Sequence, residues 1–184
     1  MRINKRFLAT LICLTVFLCT MITGTIAWLT DETAPVINTF TPSNIDIELT
    51  ETKGGDGKTF KMVPGAKIEK DPKVTVKAGS EACYVFVKFE KTNGFDSFME
   101  YTVADGWTEL TADSGIYYRE VATSAENQEC SVLKDNVVTV LGSVTKAQMD
   151  ALSDSSKYPT LTFTAYACQM EGFDTAADAW AEIE

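Results

Sequence analysis

The sequence predicts an all-β fold, an antiparallel β-sandwich with one or two short helices. Alternating apolar residues mark the strands, most clearly over residues 83–90 and 158–170. Glycine, proline and aspartate separate these runs at short intervals, which is typical of turns and not of helical crossovers between parallel strands. The chain of 184 residues is long enough for one such domain behind a targeting segment.

An export signal is predicted over residues 1–27, in the form of a hydrophobic helix. Three basic residues among the first six are the only charges before Asp31. A basic start, an apolar centre and small residues at Thr25 and Ala27 are the parts of a secretory signal, with cleavage before Trp28. The apolar run is also long enough to cross a bilayer, so an uncleaved anchor is the alternative. In both cases we expect the domain outside the cytoplasm, with membrane contact only through this segment before cleavage.

The remaining chain divides into an extended segment, residues 28–44, and a β-sandwich domain, residues 45–184. Pro35 pushes the residue before it to extended geometry, and residues 36–40 favour a strand. This makes the extended segment a candidate donor strand for another sheet. Its alternative interpretation is an ordinary first strand of its own sheet.

Further strands and two short helices are predicted in order along the domain. The strands are residues 45–49, 67–70, 73–77, 83–90, 107–110, 116–121, 137–141 and 158–170. Residues 83–90 are apolar on both faces at one end, which is typical of a central strand. Thr145 and Gln148 have capping-box spacing for a helix that ends near Leu152. Asp174 is predicted to cap a final helix whose inward residues are Ala177, Trp180 and Ile183.

The composition argues against several kinds of chemistry. The chain has no histidine, so it lacks the usual general base and the His-Glu-x-x-His zinc site of metalloproteases. A net charge of −10 makes nucleic-acid binding improbable. Two Ser-x-x-Lys spacings, Ser131 with Lys134 and Ser143 with Lys146, are interpreted as coincidence because companion motifs are missing. We expect no catalytic site, no metal and no cofactor, and the Gly-rich turn at Asp56 is interpreted as a hairpin turn.

Three of the five cysteines belong to the predicted exported part. An odd number allows at most one internal disulfide among Cys83, Cys130 and Cys168. The favoured interpretation is that they are small buried hydrophobic residues, because Cys83 and Cys168 lie in apolar strand patterns.

Several stretches resemble the TasA/camelysin family, the alternate signal-mediated exported proteins of Gram-positive bacteria. They are GTIAWLTD at residues 24–31, NTF at 38–40, IDIEL at 45–49, VPGAKIEKDPKVTV at 63–76, LTFTAYACQMEGF at 161–173 and ADAW at 177–180. The resemblance implies export through a dedicated type I signal peptidase and a jelly-roll-like β-sandwich. In some members it implies assembly into biofilm-matrix fibres, in which the freed amino-terminal segment adds as a strand to the next subunit. Some relatives are described as metallo-endopeptidases, and the absence of histidine here departs from that activity.

The preferred hypothesis is a secreted or cell-surface structural protein that associates with itself or with other matrix or surface proteins. Residues 30–40 would pair with an exposed sheet edge of a neighbour, with Val36, Ile37 and Phe40 filling pockets. Head-to-tail exchange of this kind does not close, so its product would be a filament.

Two alternatives belong to other classes of protein. The first is a monomeric surface module that binds a glycan or a protein through exposed aromatic residues such as Trp107, Tyr117 or Tyr118. The second, an extracellular metalloprotease, is the least supported by the composition.

Overall fold

The computed structural model describes residues 5–26, 44–53 and 59–183. It divides into two units, Met1–Thr41 and Pro42–Glu184, and each is described by itself. The first contains helix α1, Lys5–Ile26. Among the described residues, no helix is long and apolar enough to cross a membrane. The role of α1 as an export signal stays a prediction.

The described part of the second unit is built from ten β-strands and two short helices. The strands are β1 Ile47–Thr50, β2 Lys67–Glu69, β3 Lys73–Val76, β4 Cys83–Thr92, β5 Met99–Val103, β6 Thr108–Glu109, β7 Ile116–Val121, β8 Gln128–Ser131, β9 Leu133–Val140 and β10 Thr160–Gln169. The helices are α2 Lys146–Ala151 and α3 Ala176–Ala181. Every strand pair is antiparallel, which confirms the all-β prediction.

The strands form three sheets, with the orders β1-β3-β8, β2-β9-β5 and β10-β4-β7-β6. The first two sheets continue into one another, because β2 and β3 are separated by only three residues and β8 and β9 by one. Two backbone hydrogen bonds join them across the break: Lys70 donates to Asn136 at 2.8 Å, and Val132 donates to Pro72 at 2.9 Å. β1 covers only the β3 part of this long combined strand.

The main hydrophobic core joins residues of all three sheets. It includes Val74 and Val76 of β3, Val85 and Val87 of β4, and Val138 and Val140 of β9. The side chains of Val85 and Phe86, neighbours in β4, are fully buried on opposite faces. The prediction that residues 83–90 form a central strand is therefore confirmed, since β4 pairs with β10 on one side and β7 on the other.

Helix α3 covers the second apolar face of the four-stranded sheet. Its Ala179 and Trp180 pack with Tyr84 and Phe86 of β4 in a separate cluster. The Trp180 ring lies 5.1 Å from the Phe86 ring and 5.3 Å from the Tyr166 ring, measured between centroids. Both faces of β4 are thereby removed from water, which is why its sequence shows apolar residues in succession.

The predicted start of α3 is wrong by one residue. Thr175, and not Asp174, is the N-cap, because its hydroxyl accepts a hydrogen bond from the Asp178 N–H at 3.2 Å. The predicted inward face is also wrong at one position: Ala176 and Ala179 are buried, whereas Ala177 is exposed. The α2 capping box is confirmed: Gln148 donates from its N–H to the Thr145 hydroxyl, and its side chain accepts from the Thr145 N–H.

Two strands were not predicted. β8, with the sequence QECS, has only one buried side chain, Cys130, so its alternation is too short to recognise. β5 follows directly on the 3-10 turn Phe95–Ser97, and the apolar residues of the turn obscure the alternation of Met99, Tyr101 and Val103.

Candidate functional site

A groove of about 790 Å³ opens beside the edge strands β2 and β10. We call it the β2/β10 groove. Most of its lining is apolar, and the principal side chains are Phe60, Met62, Phe95, Met99, Val138 and Leu161. Phe95, Met99 and Val138 line the groove from the buried core, and each is less than a tenth exposed. A concave apolar surface of this size can take an extended peptide or another apolar ligand.

The outer edge of β2 carries backbone groups that are not paired with β9. The Lys70 N–H donates to Asn136 of β9. In an antiparallel strand, the backbone N–H and C=O groups of residues two apart point in the same direction. Those of Ile68 therefore also point to β9. The N–H and C=O groups of Lys67 and Glu69 consequently point away from β9, and no described residue pairs with them.

The outer edge of β10 also carries backbone groups without a backbone partner, although β1 lies close beside it. The Met170 N–H donates to Ala82 at 3.1 Å, which fixes the even-numbered residues of β10 as those that bond to β4. The odd-numbered residues, including Leu161 and Phe163, direct their backbone groups outward. In the part of the chain that the structure describes, these groups have no backbone partner.

β10 also lacks the usual protections of an edge strand. It pairs with β4 through ten consecutive residues without a bulge. Its sequence, TLTFTAYACQ, contains no charged residue and no proline. Exposed edges are normally blocked by charges, prolines, bulges or short length, because an open edge is a template for another strand. The sequence of β10 therefore carries none of these protections, although β1 lies close beside the strand.

β1 ends at Thr50 and does not continue alongside β2. The Asp71 carboxylate accepts hydrogen bonds from the N–H groups of Thr52, at 2.9 Å, and Lys53, at 2.6 Å, and from the Thr52 hydroxyl. The Thr52 hydroxyl and these N–H groups hold the pKa of Asp71 below its ordinary value. The Asp71 side chain therefore accepts hydrogen bonds from N–H groups that would otherwise continue the backbone ladder of β1 alongside β2.

A shielded ion pair fixes one wall of the groove. Lys70 Nζ lies 2.8 Å from the Glu51 carboxylate, and the two side chains are only 14% and 16% exposed. The same ammonium lies 5.5 Å from the centre of the Phe60 ring and 5.7 Å from that of Phe163. Loss of either charge would leave its partner poorly solvated, so this pair holds the chain after β1 against the end of β2.

Exposed apolar side chains concentrate near this groove. In the described part of the second unit, the large hydrophobic residues with exposed side chains are Val63, Tyr158 and Leu49, at 55%, 41% and 36%. Val63 and Tyr158 line the groove, and Leu49 lies on β1, the neighbouring edge strand. Clustered exposed apolar residues mark an interaction surface more strongly than scattered ones.

Most residues of the predicted site lie outside the described residues. Thr25 falls within α1. The others are not described: Ala27, Trp28, Val36, Ile37 and Phe40. The cleavage site and the donor segment therefore stay predictions.

The three aromatic residues proposed as ligand contacts are packed into the domain. Trp107 donates from Nε1 to the Ser131 carbonyl at 2.8 Å and lies under the Arg119 guanidinium. Tyr117 packs on Phe89 with 5.0 Å between ring centres, and Tyr118 packs against the β4 aromatic residues. All three are half-buried, and the two tyrosines lie in β7. The interpretation as loop residues is wrong for Tyr117 and Tyr118, whereas Trp107 lies in a loop between β5 and β6 and is half-buried.

The cysteines of the domain are free thiols. Cys83 and Cys130 are buried in the main core, as the interpretation of small buried hydrophobic residues predicts, and Cys168 is half-buried on the opposite face of the sheet. Burial raises the pKa of Cys83 to about 11 and also raises the pKa values of Cys130 and Cys168.

We expect Cys83 to be chemically unreactive in the folded protein. Its pKa is raised from 9.0 to about 11, which lowers the thiolate fraction at pH 8 by about a hundredfold before exclusion of the reagent is counted. Iodoacetamide labelling followed by peptide mass spectrometry measures this directly. Labelling in urea is the control, and rapid labelling of Cys83 without urea would contradict the buried position.

The described residues hold no group of three or more acidic, cysteine or histidine side chains close enough to bind a metal. Both lysines of the Ser-x-x-Lys spacings form ion pairs with carboxylates: Lys134 with Asp105 at 3.5 Å and Lys146 with Asp150 at 2.7 Å. Neither lysine is thus positioned as a base for its serine.

Comparison with known proteins gives no match: no family model, no curated protein and no solved structure is similar to this chain. The resemblance to the TasA/camelysin family stays a prediction. The sheet edges and the groove are therefore the features of the domain that bear on its function.

Proposed function

We propose that the protein is an exported structural subunit of the cell surface or extracellular matrix, and that its copies associate by strand addition. The observation that carries this proposal is the outer edge of β10. This strand of ten residues has no charge, no proline and no bulge, and its odd-numbered residues present unpaired backbone groups next to a groove with an apolar lining. A monomer would normally block such an edge, whereas a self-associating subunit uses it.

In this proposal, residues 30–40 supply the added strand once cleavage between Ala27 and Trp28 has freed them. Backbone hydrogen bonds give the affinity, and Val36, Ile37 and Phe40 fill apolar pockets. Each copy donates one segment and accepts one, so the contact propagates into a filament. A jelly-roll-like connection of the facing sheets belongs to the same proposal, as do a signal peptidase during export and other matrix or surface proteins as partners.

The alternative of a monomeric glycan- or protein-binding module has less support. Its proposed contacts, Trp107, Tyr117 and Tyr118, are engaged in packing and hydrogen bonding within the domain.

The proposal is tested with two purified chains, residues 28–184 and residues 44–184. Within residues 44–53 and 59–183, the buried side chains lie between Pro72 and Trp180, so we expect both chains to fold. Electron microscopy should show fibres for the longer chain and none for the shorter chain at the same concentration.

Circular dichroism is the control that both chains contain the same β-sheet. Two results would contradict the proposal: two chains that stay monomeric under all conditions, or two chains that form identical fibres, since the segment would then be unnecessary.

A further inference from the structure

We propose that Asn93 is a site of spontaneous deamidation, and that its conversion to an acid releases the turn that leads into β10. Asn93 and Gly94 form the only Asn-Gly pair in the chain. They follow β4 directly, and both residues are exposed to solvent. The proposal concerns a covalent change of one residue and does not depend on the proposed function.

The reaction needs only the chain itself and water. The Gly94 backbone nitrogen gives up its proton to a base from solvent and attacks the side-chain carbonyl carbon of Asn93. A new C–N bond closes a cyclic imide, and the bond to the side-chain nitrogen breaks, so that this nitrogen takes up a proton and leaves as ammonia. Water then opens the ring, which gives aspartate or isoaspartate. Overall, water is consumed and ammonia is released, with no oxidant or reductant.

The residue after an asparagine controls access to the attacking nitrogen. Gly94 has no side chain, and a Cβ placed there would meet only Ser97 Oγ, at 3.9 Å, so the nitrogen is open to attack. Asn136 provides a contrast within the same chain. It is also exposed and also left-handed, with a φ of 55° against 52° for Asn93. It is followed by Val137, whose branched side chain crowds the nitrogen.

The Asn93 side chain ties the turn before β10 to the end of β4. Its Nδ2 donates to the Ser156 carbonyl at 2.9 Å and to the Tyr158 carbonyl at 2.8 Å. Two carbonyl oxygens beside the same end of the amide require the nitrogen at that end, and not the oxygen. Both hydrogens of this nitrogen are thus bound by one turn.

Burial does not hold this turn in place. We call residues 154–158 the β10 entry turn. All of them are exposed, and the 3-10 segment Ser155–Lys157 has no buried side chain. The turn's own hydrogen bonds, such as that from the Ser156 N–H to the Asp154 carboxylate at 2.9 Å, shape it but do not attach it to the sheet. The Asn93 amide therefore supplies an attachment that burial does not.

Conversion of Asn93 removes this attachment. An aspartate carboxylate only accepts hydrogen bonds, so both donors are lost. Its negative oxygens would also face two carbonyl oxygens, and like charges repel. Isoaspartate additionally inserts a carbon atom into the backbone after β4. We expect opening of the β10 entry turn to become at least about tenfold more frequent.

The same two hydrogen bonds restrain the reaction. Attack requires the side-chain carbonyl carbon of Asn93 to reach the Gly94 nitrogen, whereas the hydrogen bonds hold the amide against the β10 entry turn. Opening of the turn frees the amide, so the rate of conversion follows the local opening of this turn. Because ammonia is lost, the change is irreversible.

The first test compares two asparagines in one sample of the chain 44–184. The native chain and the chain in urea are kept in mildly alkaline buffer, and tryptic peptides are followed by mass spectrometry. We expect Asn93 to convert at least about tenfold faster than Asn136 in urea, and at least about tenfold more slowly in the native chain than in urea. Equal conversion of the two asparagines in urea would overturn the assignment of the site. Equal rates for Asn93 with and without urea would overturn the restraint by the turn.

The second test measures release of the turn by NMR hydrogen exchange. In the variant Asn93→Asp, exchange at the Ser156 and Tyr158 amides should speed up at least about tenfold. The matched control is Asn136→Asp, which adds the same charge at an exposed left-handed position and should leave these two rates unchanged. Both changed positions are exposed, so we expect both variants to fold, and far-UV circular dichroism checks this.

A third variant, Asn93→Ala, removes the donors without adding a charge and should give a smaller increase than Asn93→Asp. Unchanged exchange in both Asn93 variants would overturn the role of the amide in holding the turn. The same increase in Asn136→Asp as in Asn93→Asp would also overturn it, since added charge alone would then explain the effect.

Discussion

Replacing Leu161 by proline should abolish assembly of the chain 28–184, whereas replacing Leu161 by alanine should only weaken it. Both variants lose the leucine side chain, but only proline loses the N–H that points away from β4. We expect the critical concentration for assembly to rise at least about a hundredfold for Leu161→Pro and less than about tenfold for Leu161→Ala. Sedimentation of a dilution series measures both values.

The pair of variants separates edge pairing from folding. The Leu161 N–H takes no part in the β10–β4 ladder, and proline is tolerated at sheet edges, so both variants should unfold at similar urea concentrations. Equal assembly by Leu161→Pro and Leu161→Ala would show that the edge of β10 is not used.

Replacing Trp180 by alanine should lower the free energy of unfolding by about 3–5 kcal/mol. Trp180 is 8% exposed and packs on the rings of Phe86 and Tyr166. Its removal leaves a cavity between α3 and the outer face of the four-stranded sheet. Urea unfolding followed by far-UV circular dichroism measures the change.

The matched control is Ala177→Ser, on the exposed side of the same helix, which should change the free energy of unfolding by less than about 0.5 kcal/mol. A loss below about 1 kcal/mol for Trp180→Ala would mean that α3 does not close this face of the sheet.

Strands in which apolar and polar residues alternate strongly could be predicted from the sequence, because apolar side chains lie on the buried face and polar side chains on the exposed face. β4 and β10 are the clearest cases, and the apolar succession in β4 correctly predicted burial on both faces. β8 could not be found this way, since Cys130 is its only buried side chain. The start of α3 was missed because Asp174 and Thr175 are both good caps, and only the hydrogen bond to Asp178 distinguishes them.

The groove could not be predicted, although the sequence contains the uncharged strand that borders it. The uncharged run of residues 160–169 is unusual for an edge strand, but nothing in the sequence shows that this strand is an edge. That depends on the strand order, which brings together residues from distant parts of the chain. The end of β1 depends further on one carboxylate, because Asp71 binds the N–H groups of Thr52 and Lys53 in place of a strand partner.

In the proposed function, the outer edge of β10 beside the β2/β10 groove takes one strand, and each chain supplies one amino-terminal segment. Under the proposed arrangement, every assembly is polar: one end always bears an empty groove and the other an unused segment. A chain that begins at Asn44 keeps the groove but brings no segment, so it can join at one end only and blocks further growth there. The length of such assemblies would then be set by the ratio of processed to shortened chains, and not by total protein concentration alone.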